Sequence, residues 1–538
     1  EEGEEEEEEE EVTDVDVSVS CMLLGGVTFV MSIFRVVNWE DDDVRRYAWN
    51  VTSNTIAIFL AVLFFQGNKQ MLDKTLDNAG VSEKFEVVVH IAHCGVYLGA
   101  LLGVIGLKAG VWTKGPATWF TQEDWVIADA MLYNYGEKVT KEKVRAVIRA
   151  QKENKESEAT SSVILDKYGL EIPVKKRKKE KEDRQAEIRC WATLLAHCAG
   201  FAAIAAGANM QGSSLFCSSP LLTLLPIGII TVLLLGGFQA SNVMRNKLKK
   251  EAQAENRKGV RAALVQEACD EAEVDILALV LSFLLVQTLR FSITAKLPNE
   301  EGLEEPPPKV TMREAYLLWG AGLCILGAVV GLHKFAGNVV KAVEEEEEEG
   351  NNESASAKEQ VKEKLIKAGM NALTMGFAWC LMWGSRYAWM ANEVLGLPVT
   401  SIPARIVLAL ALSLLATWAI CRLDKISDSA KLAKSEQAHQ TEELVESIVA
   451  SISLMVGFTW EHSFDGAVTD MAMLNKAHPA VTKFCMGLVV VGLLHIPWRR
   501  YILRKAIDLE ALKKTRKAAE KARNKEAIGM QSPASSAA

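Results

Sequence analysis

The chain has 538 residues, 49% of them hydrophobic and 24% charged, with a formal net charge of -9. Spread evenly, such a composition would build about two to four soluble domains; here the apolar residues fall into long blocks separated by charged runs, which excludes that architecture. No Walker loop, HExxH or GxSxG motif occurs, so neither a primary pump nor a familiar membrane hydrolase is expected.

Residues 1–20 form an acidic segment that includes the run Glu4 to Glu11. The chain begins at Glu1 without a methionine or a basic stretch, the pattern expected of a truncated start. Segment 21–107 carries three apolar blocks, at 21–37, 50–66 and 86–107. Each approaches the length of about 20 residues with which a helix crosses roughly 30 Å of hydrocarbon. Segment 108–190 opens with Trp112, Trp119, Phe120 and Trp125 among acidic residues, which reads as an interfacial helix. It continues into runs such as "KKRKK" that are too charged to build a core. Pairs of spans then alternate with linkers. Spans lie at 191–240, 274–334, 368–421 and 447–498, with linkers at 241–273, 335–367 (acidic) and 422–446, and a basic tail at 499–538.

Lys and Arg concentrate in segment 108–190, in the linkers and in the tail, whereas 211–220 and 391–404 contain none. By the positive-inside rule the basic segments and the C-terminus are cytosolic. The sequons at Asn50 and Asn352 then fall on the cytosolic side, where they escape glycosylation. The expected fold is all-α, a polytopic transmembrane bundle of about ten or eleven spans with charged cytosolic linkers. "GFAA" at Gly200, "SFLL" at Ser282, "GFAW" at Gly376 and "GFTW" at Gly457 recur at nearly even intervals and suggest a repeated two-span unit.

Residues 23–67, "LLGGVTFVMSIFRVVNWEDDDVRRYAWNVTSNTIAIFLAVLFFQG", with the later "GFAWCLMWG" and "GFTWEHSFDGAV", resemble a set of multi-pass membrane proteins of dinoflagellate algae to which no activity is assigned. The resemblance implies a lineage-specific membrane family and transfers no functional residue.

"GFTWEHSFDGAV", residues 457–468, places Glu461, His462 and Asp465 at the end of the tenth span. Counted from the cytosolic entry, Glu461 lies about 21 to 30 Å along the helix. Arg290, Arg386 and Lys69 end other spans at a similar depth. Two readings follow. The carboxylates tie helix ends together by interfacial salt bridges to Arg290 or Arg386, or Glu461 and Asp465 gather an ion or proton while His462 adjusts its charge with pH.

"VVVHIAHCG" sets His90, His93 and Cys94 on one helical face as weak metal-ligand candidates, and "AHC" recurs at His197 and Cys198. Antiparallel spans leave roughly 10 Å of depth between His93 and His197, too far for one ion. No metal or other cofactor is therefore expected. Expected partners are the lipid bilayer and anionic inner-leaflet lipid under the basic tail, and not nucleic acid. The leading functional expectation is a secondary transporter or channel-like protein rather than an enzyme. The alternatives are a non-transporting membrane organiser or scaffold and, third, a redox protein with an intramembrane cofactor.

Overall fold

The computed structural model describes residues 14–111, 163–165, 171–254, 259–348, 357–432, 438–513 and 515–516. The interfacial-helix reading of 112–125 lies outside them. The chain is an all-α bundle and a multi-pass integral membrane protein: eleven helices among the described residues are long and apolar enough to cross a membrane. In chain order they are α1 Asp14–Val37, α2 Asp42–Asn78, α3 Glu83–Ala109, α4 Val174–Gly212, α5 Leu224–Ala254 and α6 Gly259–Thr294. There follow α7 Met312–Glu348, α8 Ala357–Asn392, α9 Ile402–Leu432, α10 Ala438–Met473 and α11 Pro479–Pro497. Before α4, Val163–Leu165 pairs antiparallel with Glu171–Pro173.

Several linkers are more helical than their charge suggested. α4 begins at Val174, inside the segment read as an insert, and α6 begins at Gly259, well inside the linker 241–273. Ion pairs between neighbouring helices stabilise such extensions. Arg245 of α5 bonds Glu273 at 2.5 Å and Asp270 at 3.2 Å on α6, and Lys364 of α8 reaches both carboxylates at 2.5 Å. The start of the tail is held similarly, with Arg499 at 2.8 Å from Glu187 and Lys513 at 2.8 Å from Glu442. These clusters gather at one end of the bundle, here the basic end.

The even-numbered helices are the most buried. α2, α4, α6, α8 and α10 pack in that order and α10 closes back on α2, forming a ring. All five run away from the basic end, since the odd-numbered helices return between them. Outside the ring, α3 packs on α4, α5 on α6, α7 on α8, α9 on α10 and α11 on α2, while α1 lies against α9, α2 and α10. The outer helices present their apolar side chains outward: Leu23, Val30 and Phe34 of α1, Val232 of α5 and Leu493 of α11 are all exposed. Close approach of ring helices needs small residues. A Cβ on Gly457 of α10 would stand 2.7 Å from Ile58 Cδ1 and 3.3 Å from the Thr55 backbone of α2.

Inside the ring, aromatic side chains from all five helices meet edge to face or tilted. Phe65 of α2 and Phe201 of α4 are 6.1 Å apart, Phe201 and Phe458 of α10 5.3 Å, Phe458 and Trp379 of α8 4.5 Å, and Trp379 and Phe283 of α6 5.2 Å. These separations suit attractive ring contacts. Three of the four phenylalanines of the sequence repeat, Phe201, Phe283 and Phe458, therefore belong to one layer; on α8 Trp379 occupies it in place of Phe377.

Candidate functional site: a buried polar cluster

Beyond the aromatic layer, away from the basic end, the ring helices turn polar within one to two turns. α2 carries Lys69, α6 carries Gln287 and Arg290, α8 carries Arg386 and Tyr387, and α10 carries Glu461, His462 and Asp465. The loop 295–311 between α6 and α7 folds over this region. Gln287 donates to the carbonyls of Pro298 at 2.7 Å and Asn299 at 3.0 Å. Asn299 Oδ1 accepts from the backbone N–H of Glu301 and Leu303, shaping the turn at 3.0 and 2.8 Å. Gly302 adopts φ +78°, where a Cβ would sit 2.7 Å from Trp383 and 3.0 Å from Phe283. The left-handed backbone and the tight contact both require glycine.

Arg290 is locked from every side. Its Nη1 donates to Gly302 O at 2.8 Å, its Nε to Tyr387 Oη at 3.1 Å and its Nη2 to the Glu304 carboxylate, while the guanidinium lies 3.8 Å above the Trp383 ring. Tyr387 donates to the same Glu304 oxygen at 2.5 Å. Arg290's carboxylate partner is thus Glu304 of the loop rather than Glu461 or Asp465. The reason is geometric: the loop returns across α6 and delivers a carboxylate closer than any neighbouring span does. Arg386 is half-buried, its Nε bonded to nothing, in the combined field of Arg405, Arg290 and Glu304.

The carboxylates occupy the other side. Asp465 pairs with Lys483 of α11 at 2.7 Å, and Lys483 is itself 4% exposed. Glu461, one turn earlier and 2% exposed, has its Oε1 buried without a hydrogen-bond partner. The charged groups around Glu461 are Asp465, Glu301, Lys483 and Arg405. His462 packs edge to face on Trp383 at 5.7 Å, and its backbone carbonyl accepts from Arg405 Nη1 at 3.0 Å. The cluster therefore has an arginine side, with Arg290, Arg386 and Glu304, and an acidic side, with Glu461, Asp465, Glu301 and Lys483, while Arg405 acts on both.

Glu301, in the loop, is held above the ordinary carboxylate value of 4.5 by burial and then by the charge of Asp465, against the pull of Lys483 and Lys69. A carboxyl that keeps its proton better folded than unfolded contributes stability in acid, which is lost as pH rises from about 4.5 through its folded value. Glu301→Gln is expected to melt higher than wild type at mildly alkaline pH and to converge with it in acid. Melting curves across pH in detergent check this, and identical pH profiles would refute it.

Sequence reasoning reached Arg290, Arg386, Glu461, His462 and Asp465 but missed Glu301, Glu304, Arg405 and Lys483. The available signal was the acidic "NEEGLEE" beside Arg290, on a side otherwise poor in charge. His90, His93 and Cys94 do not converge. Cys94 donates to Ala199 O at 3.6 Å, His93 stacks between Phe65 at 5.9 Å and Tyr97 at 4.9 Å, and His90 faces Asp73 and Glu86. His197 bonds Thr193 O of its own helix at 2.7 Å and Cys198 donates to Ala61 O at 3.6 Å. No family model, curated protein or solved structure matches the chain.

Proposed function

We propose that the protein is a secondary transporter coupled to protons or a small monovalent cation, with Glu461, Asp465 and Glu301 as its coupling site. The observation that carries this reading is the buried, unpartnered carboxylate oxygen of Glu461 beside two further carboxylates and the ammonium of Lys483. Lys483 pairs closely with Asp465, and Arg405 adds a second cation to the surroundings of Glu461, yet Glu461 Oε1 bonds to neither, which leaves a buried charge that a low-dielectric site does not tolerate unneutralised. Uptake of a proton or cation relieves it, and release restores it. Arg405 commits its Nη1 to the His462 backbone carbonyl, so its charge reaches Glu461 without a hydrogen bond to Oε1. The five parallel ring helices also direct their C-terminal dipole ends toward this side, which favours cations there. The repeated pairing of one ring helix with one outer helix is of the kind that transporters use. The aromatic layer across the ring argues for alternating access over a continuously open channel.

The test is the purified chain in liposomes carrying an internal pH-sensitive dye, with proton, sodium and potassium gradients imposed in turn. Gradient-driven flux is expected in wild type and absent in Glu461→Gln. Vesicles silent under every gradient would sink the transport reading and leave the membrane-organiser alternative.

A further inference from the structure

A second group of ligand-type side chains sits outside this cluster, where α2 and α3 meet at the end of the bundle away from the basic face. His90 is 1% exposed and its Nε2 has no hydrogen-bond partner. That nitrogen points at Asp73 Oδ1, 3.6 Å away, and Glu86 Oε1, 3.7 Å away. Asp73 Oδ1 is likewise buried without a hydrogen-bond partner. The three atoms all lie within 4.8 Å of one another. These separations are too long for hydrogen bonds. They match neighbouring ligands of one ion: metal–ligand bonds near 2.1 Å in a tetrahedral shell put ligand atoms about 3.4 Å apart.

We propose that Asp73, Glu86 and His90 bind a divalent transition-metal ion, zinc foremost, at the end of the α2–α3 hairpin. One imidazole nitrogen and two carboxylates form a donor set suited to zinc, manganese or ferrous iron, whereas the imidazole counts against calcium and magnesium. His90 and Glu86 are one turn apart on α3 and present their donors together. Glu86 is 39% exposed at its side chain, which opens the site to water and gives the ion an entry path and a fourth ligand. Lys69 does not block the site, because its ammonium bonds the other oxygen of Asp73, Oδ2, at 2.6 Å, and the carboxylate of Glu300. Asp73, Glu86 and Glu300 against Lys69 leave two uncompensated negative charges, which a divalent ion neutralises. The bound ion would thus brace the hairpin beside the point where loop 295–311 is tied to α2. His93 and Cys94 take no part, being engaged with Phe65, Tyr97 and Ala199.

The experiment uses the full chain in detergent, stripped with a chelator, dialysed and titrated with zinc chloride, with manganese and calcium chlorides in parallel. One zinc per chain is expected by elemental analysis, with an oxygen and nitrogen shell near 2.0 to 2.1 Å and no sulfur by X-ray absorption. Zinc should raise the melting temperature, and Asp73→Asn, Glu86→Gln and His90→Gln should each weaken zinc binding about tenfold or more. His90 is buried and its variant can fail to fold, so Glu86→Gln, at the exposed edge, carries the test. No stoichiometric zinc in wild type, sulfur in the shell, or unchanged affinity in Glu86→Gln would each overturn the proposal.

Discussion

Replacing Arg290 by methionine is expected to destabilise the protein by about 3 to 5 kcal/mol, the cost of breaking one half of a buried ion pair. Arg290 and Glu304 are 1% and 3% exposed, so neither charge has water to fall back on. Without the guanidinium, Glu304 keeps the hydroxyl of Tyr387, while Gly302 O loses its donor and the Trp383 face its cation. The combined variant Arg290→Met, Glu304→Gln should recover much of the loss, because the uncompensated charge is then gone. Arg290→Lys should recover little, since an ammonium supplies neither the planar fork nor the stack on Trp383. The readouts are detergent melting temperature and the rate at which added protease cuts loop 295–311. A single variant that melts within a degree or so of wild type, with the loop still protected, would show that the lock contributes nothing.

Arg290 also marks where the sequence stopped being legible. The spans were readable because crossing a bilayer demands an unbroken apolar length, and each of the eleven helices contains all or most of one of the apolar blocks. The repeated phenylalanine was readable too, although its purpose emerged only once Phe201, Phe283 and Phe458 proved to share a layer. Pairing of charges was not readable. Depth along a helix says which residues lie at one level, and that reasoning places Arg290 level with Glu461. It is silent about a loop, whose path depends on Asn299 accepting two backbone N–H groups and on Gly302 taking a left-handed conformation. Lys483 was hidden differently. It lies at the start of α11, where a lone lysine reads as a helix end facing water, yet α11 packs on α2 and α10 and buries it against Asp465. Likewise His90 was grouped with His93 and Cys94 by helical spacing, while its actual neighbour across space, Asp73, belongs to the preceding helix.

Trp379→Ala is the second large effect to expect, and it separates the aromatic layer from the polar cluster above it. Trp379 is 1% exposed, touches Phe283 and Phe458 face to edge, and donates its indole N–H to Ser282 Oγ at 3.1 Å. Truncation leaves a cavity inside the ring that five helices anchored to one another cannot collapse to fill, and loss of so large a buried side chain costs about 3 to 5 kcal/mol. The ring Ser282 hydroxyl also loses its donor, adding a polar atom to the new space. A void with polar walls admits water. Water there would connect the Glu461 side of the ring with the hydroxyls of Thr374, Ser447 and Ser451 nearer the basic end. The consequence is a leak: liposomes holding Trp379→Ala should dissipate an imposed proton gradient faster than wild type, whatever the transported substrate. Trp379→Phe keeps a ring in the layer and should stay tight while melting lower, because it still loses the bond to Ser282. Adding Glu461→Gln to Trp379→Ala then distinguishes two routes. If protons cross by way of the Glu461 carboxylate, the second substitution slows the leak; if the truncated layer passes them through bulk water, it changes nothing. A Trp379→Ala protein that melts lower but remains as tight as wild type would show that the five rings brace the bundle without sealing it.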